Sequence, residues 1–407
     1  MLTKNTRARL AAYPVELKDI MSVEQAERSR GWLSHWDQLN PGPTPLRDLP
    51  KLAASLGVMQ LSVKDESVRS PLGSFKALGA PIALLRLILR SYPERNFDPL
   101  ALIEGKYVDL LKDFTVISAT DGNHGRALAS AARSFGCQCV IVLHANVSQE
   151  REAAIAAYGA TIVRIAGNYD ESVVEAARLA AANHWTVVSD TSYEGYQDIP
   201  RDVMQGYGAI AAEIMMQVNV AQGEPCPYTH VFLQGGVGGL AAGIVSYFWE
   251  CFGANRPKFI VVEPVQADCL YQSALLGRPA NATGSVDSVM AGLACGETSP
   301  LAWRFLEGSV DVFMTISDDD AVTAMHQLAG KQTGDLPVVA GESGAAGFAG
   351  LAVLRANASL SEDSGIDATS RVLVINTEGA TAPSVYQQLV GESHESVLAR
   401  QSAWLAL

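Results

Sequence analysis

From Phe114 onward the chain alternates short β-branched runs with alanine-rich segments, and that alternation dictates parallel strands joined by helical crossovers. The runs TVISA (115–119), QCVIVL (138–143), TIVRIA (161–166) and WTVVSD (185–190) read as strands. Between them, HGRALASAARSF, SQEREAAIAAYG and DESVVEAARLAAAN combine helix-forming composition with apolar spacing. A second alternation follows: THVFLQ (229–234), a glycine loop and helix, KFIVVEP (258–264), DVFMTI (311–316), a helix from Asp318, and RVLVINT (371–377). Two α/β lobes with a cleft between them is the economical architecture. No internal repeat, low-complexity tract or flexible linker separates them, and PGPTPLRDLP (41–50) reads as irregular.

Of the 407 residues, 48% are hydrophobic and 18% charged, which is enough apolar surface for two sizeable cores. A net charge of -13 disfavours a nucleic-acid or anionic-membrane surface and points to a small-molecule substrate. No stretch approaches the ~18 uninterrupted apolar residues of a membrane span, and MLTKNTRARL lacks a hydrophobic signal core, so the cytoplasm is the expected setting. Cys137 and Cys139 alternate as buried strand residues do, and no metal site is expected; Cys269 and Cys295 lie in loop-like segments, leaving a disulfide between them open.

One lysine-bearing segment and four strand ends carry the chemistry. In SPLGSFKALGA (70–80), Lys76 offers a primary amine able to condense with an aldehyde. In SATDGNHGRALA (118–129) a strand ends, glycines turn and a helix begins, a layout that presents backbone N–H groups to an anion beside Thr120, Asp121 and Asn123. Helix capping by Asp121 or Asn123 is the competing reading, and His124 reads as a turn or packing residue. LQGGVGGLAAG (233–243) suits a phosphate at a helix N-terminus. Its Gly236, Gly238 and Ala241, with Glu263 ending the next strand, also match a dinucleotide-binding pattern. Finally, LVINTEGATAP (373–383) places Thr377, and VVSDTSYEGY (187–196) places Asp190, each at the carboxyl end of a strand.

Taken in order, GSFK, SATDGNHG, the glycine loop near residue 236 and a C-terminal strand-end Thr resemble the fold type II pyridoxal-phosphate enzymes, the family of tryptophan synthase β, threonine dehydratase and cysteine synthase. The wording KDES, SFKALG, ATDGNHGR, SDTSYEGY and EGAT looks closest to the diaminopropionate ammonia-lyases, over roughly residues 40 to 385. The resemblance implies an α/β fold of two lobes with parallel-rich sheets and the cofactor in the interlobe cleft. Residues 1–85 with 220–407 are expected as the large domain, carrying Lys76, the glycine loop and Thr377. Residues 86–219 are expected as the small domain, carrying the TDGNHG turn and Asp190.

It also implies roles. Lys76 would hold pyridoxal 5'-phosphate as a Schiff base, Asn123 would contact the ring 3-oxygen, Gly235, Gly236, Val237, Gly238 and Gly239 would wrap the phosphate, and Thr377 would face the ring nitrogen. Backbone around Ala119, Thr120 and Gly122 would receive the substrate carboxylate. The implied reaction is α,β-elimination of 2,3-diaminopropionate to pyruvate and two ammonia, with Lys76 as base on one face, Asp121 on the other, which would admit both L and D isomers, and Asp190 recognising the leaving amine. A serine or threonine dehydratase, or another β-substituted alanine lyase of the same fold, is the alternative. The loop GGVGG and the SPLG before the lysine depart from the family's wording and bear on phosphate fit and substrate entrance. A homodimer is expected by resemblance.

Overall fold

The two alternations fold into two separate sheets. The computed structural model describes residues 1–120, 122–220, 223–331 and 334–406. The strands are β1 (Leu2–Lys4), β2 (Leu46–Asp48), β3 (Gln60–Asp65), β4 (Thr115–Ala119), β5 (Gln138–Leu143), β6 (Thr161–Arg164), β7 (Thr186–Val187), β8 (His230–Gln234), β9 (Lys258–Pro264), β10 (Val310–Ile316) and β11 (Arg371–Asn376). The larger sheet runs β1-β10-β9-β8-β11-β3-β2, parallel throughout except at its two short antiparallel edges. The smaller, β6-β5-β4-β7, is wholly parallel.

The β7 run is shorter than its sequence suggests. Val188 makes one further ladder bond to Ile117 O, at 2.9 Å, and then the chain peels away. Tyr196 causes this: its hydroxyl accepts from Ser189 N at 2.8 Å and donates to Val187 O at 3.0 Å, replacing the ladder with a turn. Strands β1, β2 and β3 were not foreseen, and β2 lies inside the segment read as irregular.

Each sheet reverses its strand order once, and ligands in open α/β sheets bind at such a reversal, outside the carboxyl ends of the strands. In the larger sheet β9 and β10 extend one way from β8, whereas β11 and β3 extend the other. In the smaller sheet β5 and β6 extend one way from β4, and β7 the other. The turns after β8, β11, β4 and β7 therefore carry the four segments singled out above.

Helix Lys76–Ser91 packs against helix Asp198–Val218, which in turn packs against helix Gly239–Phe252. The crossings are close because glycines occupy them. A Cβ on Gly206 would lie 2.2 Å from Leu78 O, one on Gly243 2.9 Å from Met204 O, and one on Gly79 2.5 Å from the Tyr207 ring. The approach to the lysine is fixed by buried charges: Lys64 Nζ lies 2.7 Å from Glu213 Oε2, and Arg69 reaches both Glu66 (2.8 Å) and Glu213 (2.6 Å). Two cations facing two anions leave no buried charge unpaired, the condition under which such a cluster is tolerated.

Candidate active site

A cavity of about 970 Å³ lies at the carboxyl ends of both sheets. It is lined by Lys76, Ala119, Thr120, Gly122, Asn123, Asp190, Gly235, Gly236, Val237, Gly239 and Thr377. Asp121 lies outside the described residues. Gly238 does not line the cavity: its φ of 99° makes the turn while its α-carbon faces inward, where a Cβ would come 2.9 Å from Leu306 Cδ1. Together with Gly236, at φ 62°, it bends the chain from β8 into helix Gly239–Phe252. Such a backbone favours glycine at both places. The result is a helix N-terminus opening on the cavity with its first N–H groups free of helical partners, a cradle for an anionic phosphate.

The dinucleotide reading fails on the same loop. Glu263 is fully buried and turns away from the cavity, accepting N–H bonds from Leu270 (2.9 Å) and Tyr271 (2.7 Å) at the start of helix Cys269–Leu276. Burial pushes its carboxyl up to about 8 despite these donors. The carboxylate that the pattern would offer to a ribose is therefore engaged elsewhere. No disulfide joins Cys269 to Cys295.

Lys76 opens helix Lys76–Ser91, and the segment before it pairs with the one after β11: Phe75 N donates to Thr377 O at 3.0 Å and Gly379 N to Gly73 O at 2.9 Å. Lysine and Thr377 are thereby registered to one another. The Lys76 Nζ contacts the Asp190 carboxylate, and both side chains are about one-fifth exposed (18% and 19%). Burial pulls the lysine down, but Asp190 more than offsets it and holds the amine well above its usual range. Burial likewise pushes Asp190 up, and Lys76 and then His124 outweigh it, holding the carboxyl well below its usual range. The loop that presents Asp190 is anchored by Ser192, whose Oγ lies 2.7 Å from Ser299 Oγ and accepts from Leu301 N at 2.9 Å.

His124 belongs to this cluster, closer to the chemistry than a packing residue. Its Nε2 lies 2.9 Å from the Val188 carbonyl and so carries the proton, which leaves Nδ1 aimed at Asp190 from 3.9 Å. Burial depresses its pKa, and Asp190 works against that. In the neighbouring turn, Thr120 N donates to Val142 O at 3.4 Å, and Thr120 Oγ1 accepts from Gly122 N (3.1 Å) and Gly125 N (3.3 Å). The donors expected to meet a substrate carboxylate are thus held within the turn itself.

Two carboxylates in the cavity wall escaped the sequence reading. Glu378 follows Thr377, is buried, and accepts hydrogen bonds from Asn123 Nδ2 and, at 3.2 Å, from Ser343 N. Glu342 lies 3.2 Å from Arg151 Nη2, and burial, then the Glu378 charge, push it up to about 7. The available signal was AGESGAAG (340–347), a glycine-rich turn opening helix Ala346–Ala356. Its glycines let two turns press together, since a Cβ on Gly341 or Gly344 would sit 2.4 Å from Gly379 O or Glu378 O.

An amine, a glycine-cradled helix N-terminus, an amide and a buried hydroxyl around one cavity match the aldehyde, phosphate, ring oxygen and ring nitrogen of pyridoxal phosphate, so the residues fit that cofactor. Comparison with known proteins agrees. Residues 38–378 match the family described as pyridoxal-phosphate dependent enzyme. The diaminopropionate ammonia-lyase of Escherichia coli K12 is 36% identical over 385 residues, 94% of this chain and 95% of that one. That of Salmonella typhimurium is 37% identical over 359 residues, covering 86% and 88%. The holo crystal structure of the Escherichia coli enzyme superposes with a TM-score of 0.84 at 35% identity over 96% of each chain. A complex of it with an aminoacrylate-PLP azomethine reaction intermediate gives 0.84 at 34%, also over 96% of each. Threonine deaminase isoform 2 of Solanum lycopersicum, at 20% identity and a TM-score of 0.69 over 96% of each chain, shares the fold.

Proposed function

The chain belongs to the pyridoxal-phosphate dependent enzymes and groups with their diaminopropionate ammonia-lyases, and on that premise we propose that it converts 2,3-diaminopropionate and water to pyruvate and two ammonia. The observation that carries this reading is the contact of Lys76 Nζ with Asp190: the cavity holds a carboxylate already shaped to an ammonium. A hydroxyl leaving group has no use for a carboxylate there, whereas a 3-ammonium does.

When bound, pyridoxal phosphate supplies the electron sink for the pair left at the substrate α-carbon. Lys76 is its attachment point, Gly235, Gly236, Val237 and Gly239 flank its phosphate on the turn that Gly238 makes, Asn123 serves its 3-oxygen and Thr377 its ring nitrogen. Lys76 then has a second task, because its amine must be neutral to take the α-proton. Asp190 opposes this while it faces Lys76. Once the substrate's 3-ammonium occupies Asp190, the chief influence raising the lysine is withdrawn, and burial, the largest single cause, pulls its pKa down. The same exchange keeps the leaving nitrogen protonated, the only form in which it departs. Binding the substrate carboxylate requires Gly122 N and the Thr120 hydroxyl to release each other. Asp121, between two residues that line the cavity, is assigned the base on the opposite face, for the D isomer.

We propose a division of the chain between the two sheets, as 1–85 with 220–407 and 86–219, with one change: helix Asp198–Val218 packs on helices Lys76–Ser91 and Gly239–Phe252 and goes with the larger part, which moves the second boundary to about residue 197. The six cysteines form no disulfide, which supports the reducing cytoplasm, and among the described residues no helix is long and apolar enough to cross a membrane. The family resemblance supports a homodimer.

The test is a substrate panel measuring pyruvate and ammonia from L- and D-2,3-diaminopropionate, L-serine and L-threonine. Two ammonia per pyruvate from diaminopropionate, and slower release from the hydroxy acids, are expected. Equal or faster turnover of serine refutes the substrate, and a Lys76→Ala variant that keeps both the visible cofactor band and turnover refutes the role of the lysine.

A further inference from the structure

Glu378 has no part in the scheme above, yet it is buried in the cavity wall beside Thr377. Its backbone is fixed by the pairing of residues 73–75 with 377–379, which includes a bridge between Ser74 and Glu378. Its side chain reaches from the larger sheet to Asn123, the first residue of helix Asn123–Phe135 on the smaller. We propose that Glu378 is a positioning residue that orients the Asn123 amide toward the cofactor, an inference that rests on the assignment of Asn123 to the ring 3-oxygen.

An asparagine amide presents a donor edge and an acceptor edge of nearly equal shape, and its orientation is set by its partners. A carboxylate is an acceptor on both oxygens, so only the NH₂ edge of Asn123 can face Glu378. The ring 3-oxygen is an acceptor too. With one N–H committed to Glu378, the second remains for that oxygen, whereas a flipped amide would set its carbonyl against the carboxylate.

The other groups at Glu378 are placed to meet a carboxylate that accepts on both oxygens. Ser343 N donates to Oε1 at 3.2 Å and Thr381 Oγ1 stands 3.5 Å from Oε2. The neighbouring Glu342 is the carboxyl that takes up a proton toward neutral pH, and when ionised it has Arg151 as its own partner. Ser343 extends the chain of bonds, since its Oγ accepts from Gly292 N at 2.9 Å, and Gly292 O lies 3.6 Å from where a Cβ on Gly236 would stand. Amide, carboxylate and phosphate cradle are thus linked in one piece.

A double-mutant cycle tests the proposal on the full-length enzyme, with the pyridoxal phosphate dissociation constant, read from the visible band during titration of the stripped protein, as the measured quantity. Glu378→Gln, which offers a donor as readily as an acceptor, is expected to weaken the cofactor about tenfold when Asn123 is present and less than about twofold in an Asn123→Ala background. Equal losses in the two backgrounds overturn the proposal while leaving the Asn123 assignment standing. If Asn123→Ala by itself leaves the dissociation constant unchanged, the assignment falls and the proposal with it. Should Glu378→Gln not fold, as judged by thermal melting, Glu378→Asp keeps the charge but withdraws it by one methylene, and the same cycle applies with the same two outcomes.

Discussion

Replacing Asp190 by asparagine separates recognition of an ammonium from every other task of the site. Asp190 is about one-fifth exposed and, among the described residues, Lys76 is the cationic side chain in contact with it, so with the cofactor on Lys76 its charge awaits the substrate. Removing one member of a buried, hydrogen-bonded charge pair costs about 2–5 kcal/mol, and partial exposure argues for the lower half of that range. At about 3 kcal/mol, and 1.36 kcal/mol per decade, kcat/KM for L-2,3-diaminopropionate should fall roughly 150-fold. L-Serine carries no charge on its 3-substituent and should lose less than about fivefold. The assay is pyruvate release coupled to NADH oxidation, with both substrates on wild type and Asp190→Asn, and melting curves to establish that the variant folds. Parallel losses on the two substrates would refute the reasoning, because Asp190 would then act through Lys76 or the fold and not through the leaving amine.

Glu263 is a raised-pKa carboxyl, so the folded state binds its proton more tightly than the unfolded chain, in which a glutamate titrates near 4.3. Its stabilising share is complete below that value and is lost as pH rises toward about 8, by about 3 kcal/mol between pH 5 and 7.5. Melting curves over that range should therefore slope less for Glu263→Gln than for wild type, and parallel slopes contradict the assignment. Gly206→Ala should destabilise by about 1–3 kcal/mol and weaken cofactor binding, since the new methyl displaces the backbone of the lysine helix. Gly31→Ala, in helix Val23–Leu33 with nothing within 4 Å, serves as the control and should be neutral or stabilising by up to about 1 kcal/mol; equal melting shifts for the two would refute the close crossing.

Strands β4, β5, β6, β8, β9, β10 and β11 were legible because buried parallel strands are continuous apolar runs, and the helices between them because alanine-rich segments have few other options. The edges β1 and β2 were not, being three residues each with polar neighbours, and β3 (QLSVKD) was hidden by a lysine and an aspartate that find partners only in the folded chain. Among site residues, those at strand ends announced themselves by the turn they stand in. Glu378 did not, for its meaning comes from an asparagine 255 residues away. At Gly238 the sequence shows that a glycine is needed and not which way its α-carbon faces. His124 was undervalued for a related reason: a histidine at a helix start looks alike whether it faces solvent, as many do, or a carboxylate.

The helix that carries Lys76 touches its neighbour through bare backbone, Gly206 against Leu78, and that neighbour is seated in the same manner on Gly243. Side chains can rotate to absorb a displacement, but main chain pressed on main chain cannot. The lysine therefore cannot tilt unless three helices tilt together. Helix Asn123–Phe135 of the smaller sheet packs on the lysine helix in a shared apolar core, so any opening of the cleft falls instead to the outer elements of the smaller part, which meet the larger through polar side-chain bonds such as Arg151 to Glu342 and Ser384 to Glu150. Substrate would pass a wall that swings and meet an amine that stays still, so substitutions that loosen the swing should alter how fast product leaves before they alter how a proton is moved.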